Sequence, residues 1–191
     1  NGNQQTVKDA NNNTTTYEYD NLNRRTKTVF PDATFTQTAY DEASRRTSER
    51  DQAGKLTQFA YDKLGRLTKV TDALNQETTY TYDELGNRLT QTDANGHTTA
   101  FEYDKLGRET ARELPDGARE TKAYDALGNM ASRADFLGRV TNYAYDINNR
   151  LTSRTAACIT CEKADATWTY TPTGRRATAT YLLGGVSTTE T

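Results

Sequence analysis

Apolar and aromatic positions along the chain fall in short alternating runs, and no stretch carries the i, i+3, i+4 spacing of a helix face. Segments such as RLTKVT (Arg66–Thr71) and QETTYTY (Gln76–Tyr82) are rich in Thr, Tyr and Val at strand length, and their alternation puts one set of side chains on each face of a sheet. Between them stand two kinds of turn. One follows a Tyr and reads Asp-x-x-Gly, as in Asp62–Gly65, Asp83–Gly86, Asp104–Gly107 and Asp125–Gly128; Asn23, Ser44 and Asn149 replace the Gly elsewhere. The other comes ten residues later, at Asp51–Gly54, Asp93–Gly96, Asp135–Gly138 and, ending in Asn, Asp72–Asn75. Pro31-Asp32-Ala33 and Pro115-Asp116-Gly117 are proline versions of it. Asp accepts a backbone N–H two residues on, Pro presets φ, and Gly or Asn tolerates the positive φ at the exit.

The period is exact in count. Tyr19-Asp20, Tyr40-Asp41, Tyr61-Asp62, Tyr82-Asp83, Tyr103-Asp104, Tyr124-Asp125 and Tyr145-Asp146 are each 21 residues from the next. Tyr170, with Gly174 in its turn, restarts the phrase four residues late, after an insertion around 156–168. The expected organisation is one array over residues 1–191. It holds a partial first repeat (1–18), repeats starting at 19, 40, 61, 82, 103, 124 and 145, and a last repeat over 170–191. Two turns per repeat make each a β-hairpin. The fold expected is all-β: about nine antiparallel hairpins in a meander, curved into a spiralling, open sheet because strand twist does not let so wide a ribbon stay flat.

Two residues before the repeat Tyr sits a second aromatic, at Tyr17, Phe59, Tyr80, Phe101, Tyr143 and Trp168, on the same face by strand alternation. Thr38 and Lys122 break this series, each just after a proline turn preceded by an apolar residue, Phe30 or Leu114. The trade reads as compensation in packing.

Composition sharpens this picture. Leu, Ile, Val and Phe together are roughly 14% of the chain, a level associated with disorder, yet the net charge is only -2 and twelve Tyr supply area to bury. A thin, largely solvated sheet fits, and a thick globular core does not. Balanced charge gives no electrostatic footprint for nucleic acid, and no apolar run reaches the length of a membrane span. The chain opens on Asn with no signal-like segment, so it is expected to be a piece of a longer protein.

Candidate chemistry is sparse. The regularly spaced Asp residues raise calcium, but six to eight converging oxygens are needed, and Asp with Gly three residues on is a sufficient turn device. Arg24, Arg45, Arg66, Arg108, Arg150 and Arg175 follow the Gly position and are expected to pair with a turn Asp of their own or the next repeat. Cys158 and Cys161 form a lone Cys-x-x-Cys, open to a local disulfide, free thiols, half of a zinc site completed elsewhere, or redox chemistry. His97 reads as a solvent-facing turn residue. No paired nucleophile or phosphate loop is present, so the chain is not expected to be an enzyme or to need a cofactor. The aromatic face, with Trp168 and Phe101, leaves carbohydrate stacking as an alternative to packing.

The phrase Tyr-Asp-x-x-Gly-Arg-Leu, complete at Tyr61–Leu67, with Pro-Asp-Gly variants between copies, resembles the YD repeat of the Rhs (rearrangement hotspot) family. Teneurins and the C component of Tc insecticidal toxin complexes share it. The resemblance covers essentially the whole chain. It implies a structural segment of a large hollow shell that encapsulates or displays a C-terminal toxin or effector in bacterial members, or a cell-surface adhesion protein in teneurins. It also implies an extracellular, exported or cell-surface location within a larger bacterial protein, and partners in the rest of its own polypeptide and an enclosed toxin. A glycan or cell-surface partner goes with the alternative. None of the three prolines follows Asp, so the Asp-Pro-x-x-Gly self-cleavage segment of bacterial shells is absent from these residues. Two unpaired sheet edges are expected to favour edge-to-edge association.

Overall fold

The computed structural model describes residues 2–156, 165–183 and 186–191, and these form antiparallel β-hairpins throughout. Two compact units, Asn1–His97 and Thr98–Thr191, carry the repeat. The first holds β1 (Thr6–Lys8), β2 (Thr14–Tyr19), β3 (Arg25–Val29), β4 (Phe35–Tyr40), β5 (Arg46–Arg50), β6 (Leu56–Tyr61), β7 (Leu67–Thr71), β8 (Glu77–Tyr82) and β9 (Arg88–Thr92). The second holds β10 (Thr98–Tyr103), β11 (Glu109–Glu113), β12 (Arg119–Tyr124), β13 (Met130–Ala134), β14 (Val140–Tyr145), β15 (Leu151–Ala156), β16 (Asp165–Tyr170), β17 (Arg176–Leu183) and β18 (Val186–Glu190). Within each unit the strands pair in chain order, and among the described residues none packs across the face of another.

Both kinds of turn share one hydrogen-bond pattern. Gly65 donates its N–H to the Asp62 carbonyl at 3.0 Å and Asp62 donates to the Arg66 carbonyl at 2.9 Å; Asp51, Gly54 and Lys55 repeat this at 2.9 and 3.0 Å. This is a type I turn closed by a positive-φ residue. What separates the two turns lies in the strands. The register between β6 and β7 runs Gln58↔Thr71, Phe59↔Val70, Ala60↔Lys69 and then Tyr61↔Leu67, so Thr68 is an extra, bulged residue. Between β7 and β8 there is no such shift. The same bulge follows every Tyr-Asp turn, at Thr26, Thr47, Thr110, Ala131 and Thr152 among others. One extra residue per repeat is what makes the period odd.

Phe59, Tyr61, Val70, Thr78, Tyr80 and Tyr82 share one face, and Gln58, Ala60, Lys69, Thr71 and Thr79 the other. The core is as thin as the composition implies. Among the described residues the buried apolar side chains are Phe101, Ala111, Ala166 and Ala179. Ala156 closes β15 and Asp165–Trp168 open β16, with Trp168 opposite Ala179. Cys158 and Cys161 lie outside the described residues.

The proline turns carry a finding that alternation alone does not give. Phe30 and Leu114 occupy the place of the turn Asp: Ala33 donates to the Phe30 carbonyl at 3.0 Å, and Gly117 to that of Leu114 at 2.9 Å. The carboxylate moves two residues on, where Asp32 accepts the Thr34 N–H and Asp116 the Ala118 N–H, each at 3.0 Å. Around Lys122 the aromatic side chain is replaced by ion pairs, so an apolar exchange between strand and turn is not the whole compensation.

Candidate functional site

The residues singled out by the period build a ladder that runs from repeat to repeat. Asp62 shows the first part. Its Oδ1 accepts the Leu64 and Arg66 N–H groups, both at 2.9 Å, and its Oδ2 accepts Arg66 Nε at 2.6 Å. Both carboxylate oxygens are engaged inside one turn. Asp20, Asp104 and Asp146 make the same three kinds of bond with Arg24, Arg108 and Arg150. Asp41 makes the two bonds to Arg45, while Asn87 and Asn129 stand in for Arg beside Asp83 and Asp125. At the turn after Tyr170, Thr171 replaces Asp, and its Oγ1 accepts the Arg175 N–H at 3.2 Å.

The second part reaches forward. Arg24, Arg45 and Arg66 each donate through Nη1 to the carbonyl of the next repeat's Asp41, Asp62 or Asp83, at 3.0, 3.2 and 2.6 Å. The same guanidinium groups lie over the rings of Tyr40, Tyr61 and Tyr82, 4.7, 5.0 and 4.9 Å from the centroids. Arg108 over Tyr124 and Arg150 over Tyr170 repeat the stack in the second unit. Each such contact contributes about 0.5–1 kcal/mol where partly exposed.

The third part reaches back. Tyr61 donates its hydroxyl to the Arg46 carbonyl at 2.9 Å, Tyr82 to Leu67 at 2.7 Å, Tyr124 to Glu109 at 2.9 Å and Tyr170 to Leu151 at 2.7 Å. Tyr19, Tyr40 and Tyr145 bond Gln4, Arg25 and Met130 in the same way. The β5–β6 register pairs only Ser48–Arg50, so Arg46 stands beyond it, next to the bulge. The phenol supplies a donor to a backbone acceptor there. Tyr103 ends β10 in the same phase, and Gly65, Gly86, Gly107, Gly128 and Gly174 all take positive φ.

Electrostatics follow the geometry. The Arg66 backbone N–H, and then its side chain, hold the Asp62 carboxyl below its usual range; at Asp104 the Arg108 side chain leads. Asp135 is lowered to about 2, first by the Arg139 side chain. His97 is an exposed turn residue with Nδ1 3.3 Å from Asp93 Oδ2.

A second cluster sits on the aromatic face of the second unit. Arg112, Arg133 and Arg154 occupy the repeat position held by Thr28, Glu49 and Val70 in the first unit. Glu120, only 2% exposed, pairs with Arg133 and lies 3.7 Å from both Arg112 and Lys122. Lys122 Nζ bonds Glu109 at 2.7 Å, which together with the other acids raises its pKa. Arg112 also lies over Phe136, 4.8 Å from the ring centroid. The signal available in the sequence was the 21-residue recurrence of Arg at this position.

Some of the rings offered for carbohydrate stacking are occupied. Besides the repeat Tyr, Arg46 covers Phe59 and Arg25 covers Tyr17, while Phe101 is 8% exposed.

This is an all-β hairpin array held by a repeated Tyr-Asp-Arg ladder. The RHS repeat family matches over residues 1–34, 40–75, 61–98, 82–119, 103–138 and 124–157, well over half of the chain, and the protein belongs to that family. No curated protein sequence matches it. The crystal structure of TcdB2-TccC3-Cdc42 has the same fold, at 17% identity and a TM-score of 0.56 over 94% of this chain and 12% of that one. TcdB2-TccC3-TEV matches at 18% identity and a TM-score of 0.55, over 95% and 12%. The chain thus spans about an eighth of the length of these relatives.

Proposed function

We propose that this chain is a stretch of wall in a larger RHS-repeat shell, and that its work is containment or display of a toxin or effector carried by the same polypeptide. The observation that carries the reading is the ladder. Arg, Asp and Tyr of successive repeats are committed to one another, which leaves these side chains to hold the wall together and not to act on a substrate. The similarity in fold to TcdB2-TccC3 over a small share of that chain's length supports a part of a larger body. The partners under this reading are the remaining repeats and an enclosed domain, in a protein that is exported or displayed at the cell surface.

Limited proteolysis of the full-length parent tests it. A C-terminal domain within the shell should resist digestion while the repeats are intact and be cut rapidly when expressed without them. Equal rates in the two forms would remove the containment role.

A further inference from the structure

The rim of Tyr-Asp turns carries side chains that the ladder does not use. In the first unit the third residue of these turns is Leu22, Ala43, Leu64 and Leu85, and the leucines are 62%, 74% and 76% exposed. The second residue is Asn21, Glu42, Lys63 and Glu84, all exposed, and no ion pair within the chain engages Glu42, Lys63 or Glu84 among the described residues. The turns of the opposite rim in the same unit hold one exposed leucine, Leu74, and no such alternation of charge. One rim is therefore an apolar row with its own charge code, recurring at the hairpin spacing of roughly 10 Å.

A partner that meets every position of this row needs the same spacing, and a second copy of the row has it. Read antiparallel against itself, the charge row sets Asn21 on Glu84, Glu42 on Lys63, Lys63 on Glu42 and Glu84 on Asn21. No like charges meet. The apolar row in the same alignment sets Leu22 on Leu85 and the small Ala43 on Leu64. Parallel in-register docking would instead place Glu42 on Glu42 and Lys63 on Lys63. We propose that the Tyr-Asp rim of the first unit is a two-fold, self-complementary docking surface for a second copy of this chain. The contact is isologous, so each pair occurs twice. It lies on the turn rim and is distinct from strand addition at β1 or β18.

Sedimentation of the 191-residue chain over a range of concentrations, under reducing conditions, tests the proposal. Wild type is expected to show a monomer–dimer equilibrium. Lys63→Glu should raise the dissociation constant about tenfold or more, because two attractive pairs become repulsive. The double variant Glu42→Lys/Lys63→Glu should restore association, and Leu64→Ser/Leu85→Ser should weaken it. Lys105→Glu/Leu127→Ser, on the second unit, should leave it unchanged. Circular dichroism confirms folding of each variant. Purely monomeric wild type, association insensitive to Lys63→Glu, or association lost only on Thr188→Pro in β18 would overturn the proposal.

Discussion

At the scale of single residues, the turns separate two costs that usually travel together. Ala33 sits at φ 65° where most equivalent positions hold Gly or Asn, and a β-carbon in the left-handed region is strained. Ala33→Gly should therefore stabilise the chain by roughly 0.5–1 kcal/mol in chemical denaturation, despite the greater entropy of glycine in the unfolded state. Gly86 offers the converse case. It has φ +92°, yet a β-carbon there would meet nothing within 4 Å. Gly86→Ala is expected to cost about 1 kcal/mol from backbone conformation alone; an unchanged midpoint would show that the turn relaxes. The same turns set the response to acid. A carboxyl whose folded pKa lies below its unfolded value stabilises the fold fully above the unfolded value and loses that contribution as pH falls through the folded one. For Asp135 that window runs from 3.8 down to about 2. Asp62, Asp104 and Asp146 shift in the same direction. Thermal melts should thus hold steady down to about pH 4 and fall steeply below it. Asp135→Asn should lower the melting temperature at pH 7 and narrow the loss between pH 4 and pH 2.

At the scale of the hairpin, the repeat Tyr joins one hairpin to the next. Tyr61→Phe keeps the ring beneath Arg45 and removes only the bond to the Arg46 carbonyl, so it should cost about 1 kcal/mol. Tyr61→Leu removes the stack as well and should cost about 0.5–1 kcal/mol more. Equal costs for the two would mean that the hydroxyl alone matters. How much of this was legible in the sequence follows from the range of each interaction. The turns, the strands and the pairing of Arg66 with an Asp of its own repeat depend on residues within a few positions, and their signals stand in the chain as Asp-x-x-Gly-Arg. The bulge left no such mark. Thr68 looks like any strand Thr, and an extra residue there shifts the alternation only next to a turn, where alternation is weak anyway. The target of the Tyr hydroxyl was hidden for the same reason, because it depends on where the β5–β6 ladder stops. At Lys122 the sequence showed a missing aromatic but not its replacement, since Glu120, Arg112 and Arg133 meet only once three strands are in register.

At the scale of the whole chain, stability is a sum over neighbours, because within each unit the strands contact strands consecutive in the chain and the buried apolar set among the described residues is small. This makes the period itself testable. Removing residues 62–82, one full repeat, joins Tyr61 to Asp83 and leaves each neighbour with an equivalent partner: Arg45 meets the Asp83 carbonyl in place of that of Asp62. The shortened chain should keep the circular dichroism of the parent and lose about one repeat's share of unfolding free energy. Removing only residues 62–71 is the smaller lesion by length and the larger by structure. It joins Tyr61 to Asp72, whose turn is followed by Gln76 and not by Arg, and it sends the Asp83 turn to the opposite rim. The strand after the new turn also lacks the residue that bulges at Thr68. Denaturant unfolding of the two deletions should therefore rank the ten-residue loss as more destabilising than the 21-residue loss. The opposite order, or equality, would show that chain length, and not the phase of the ladder, sets the stability of this array.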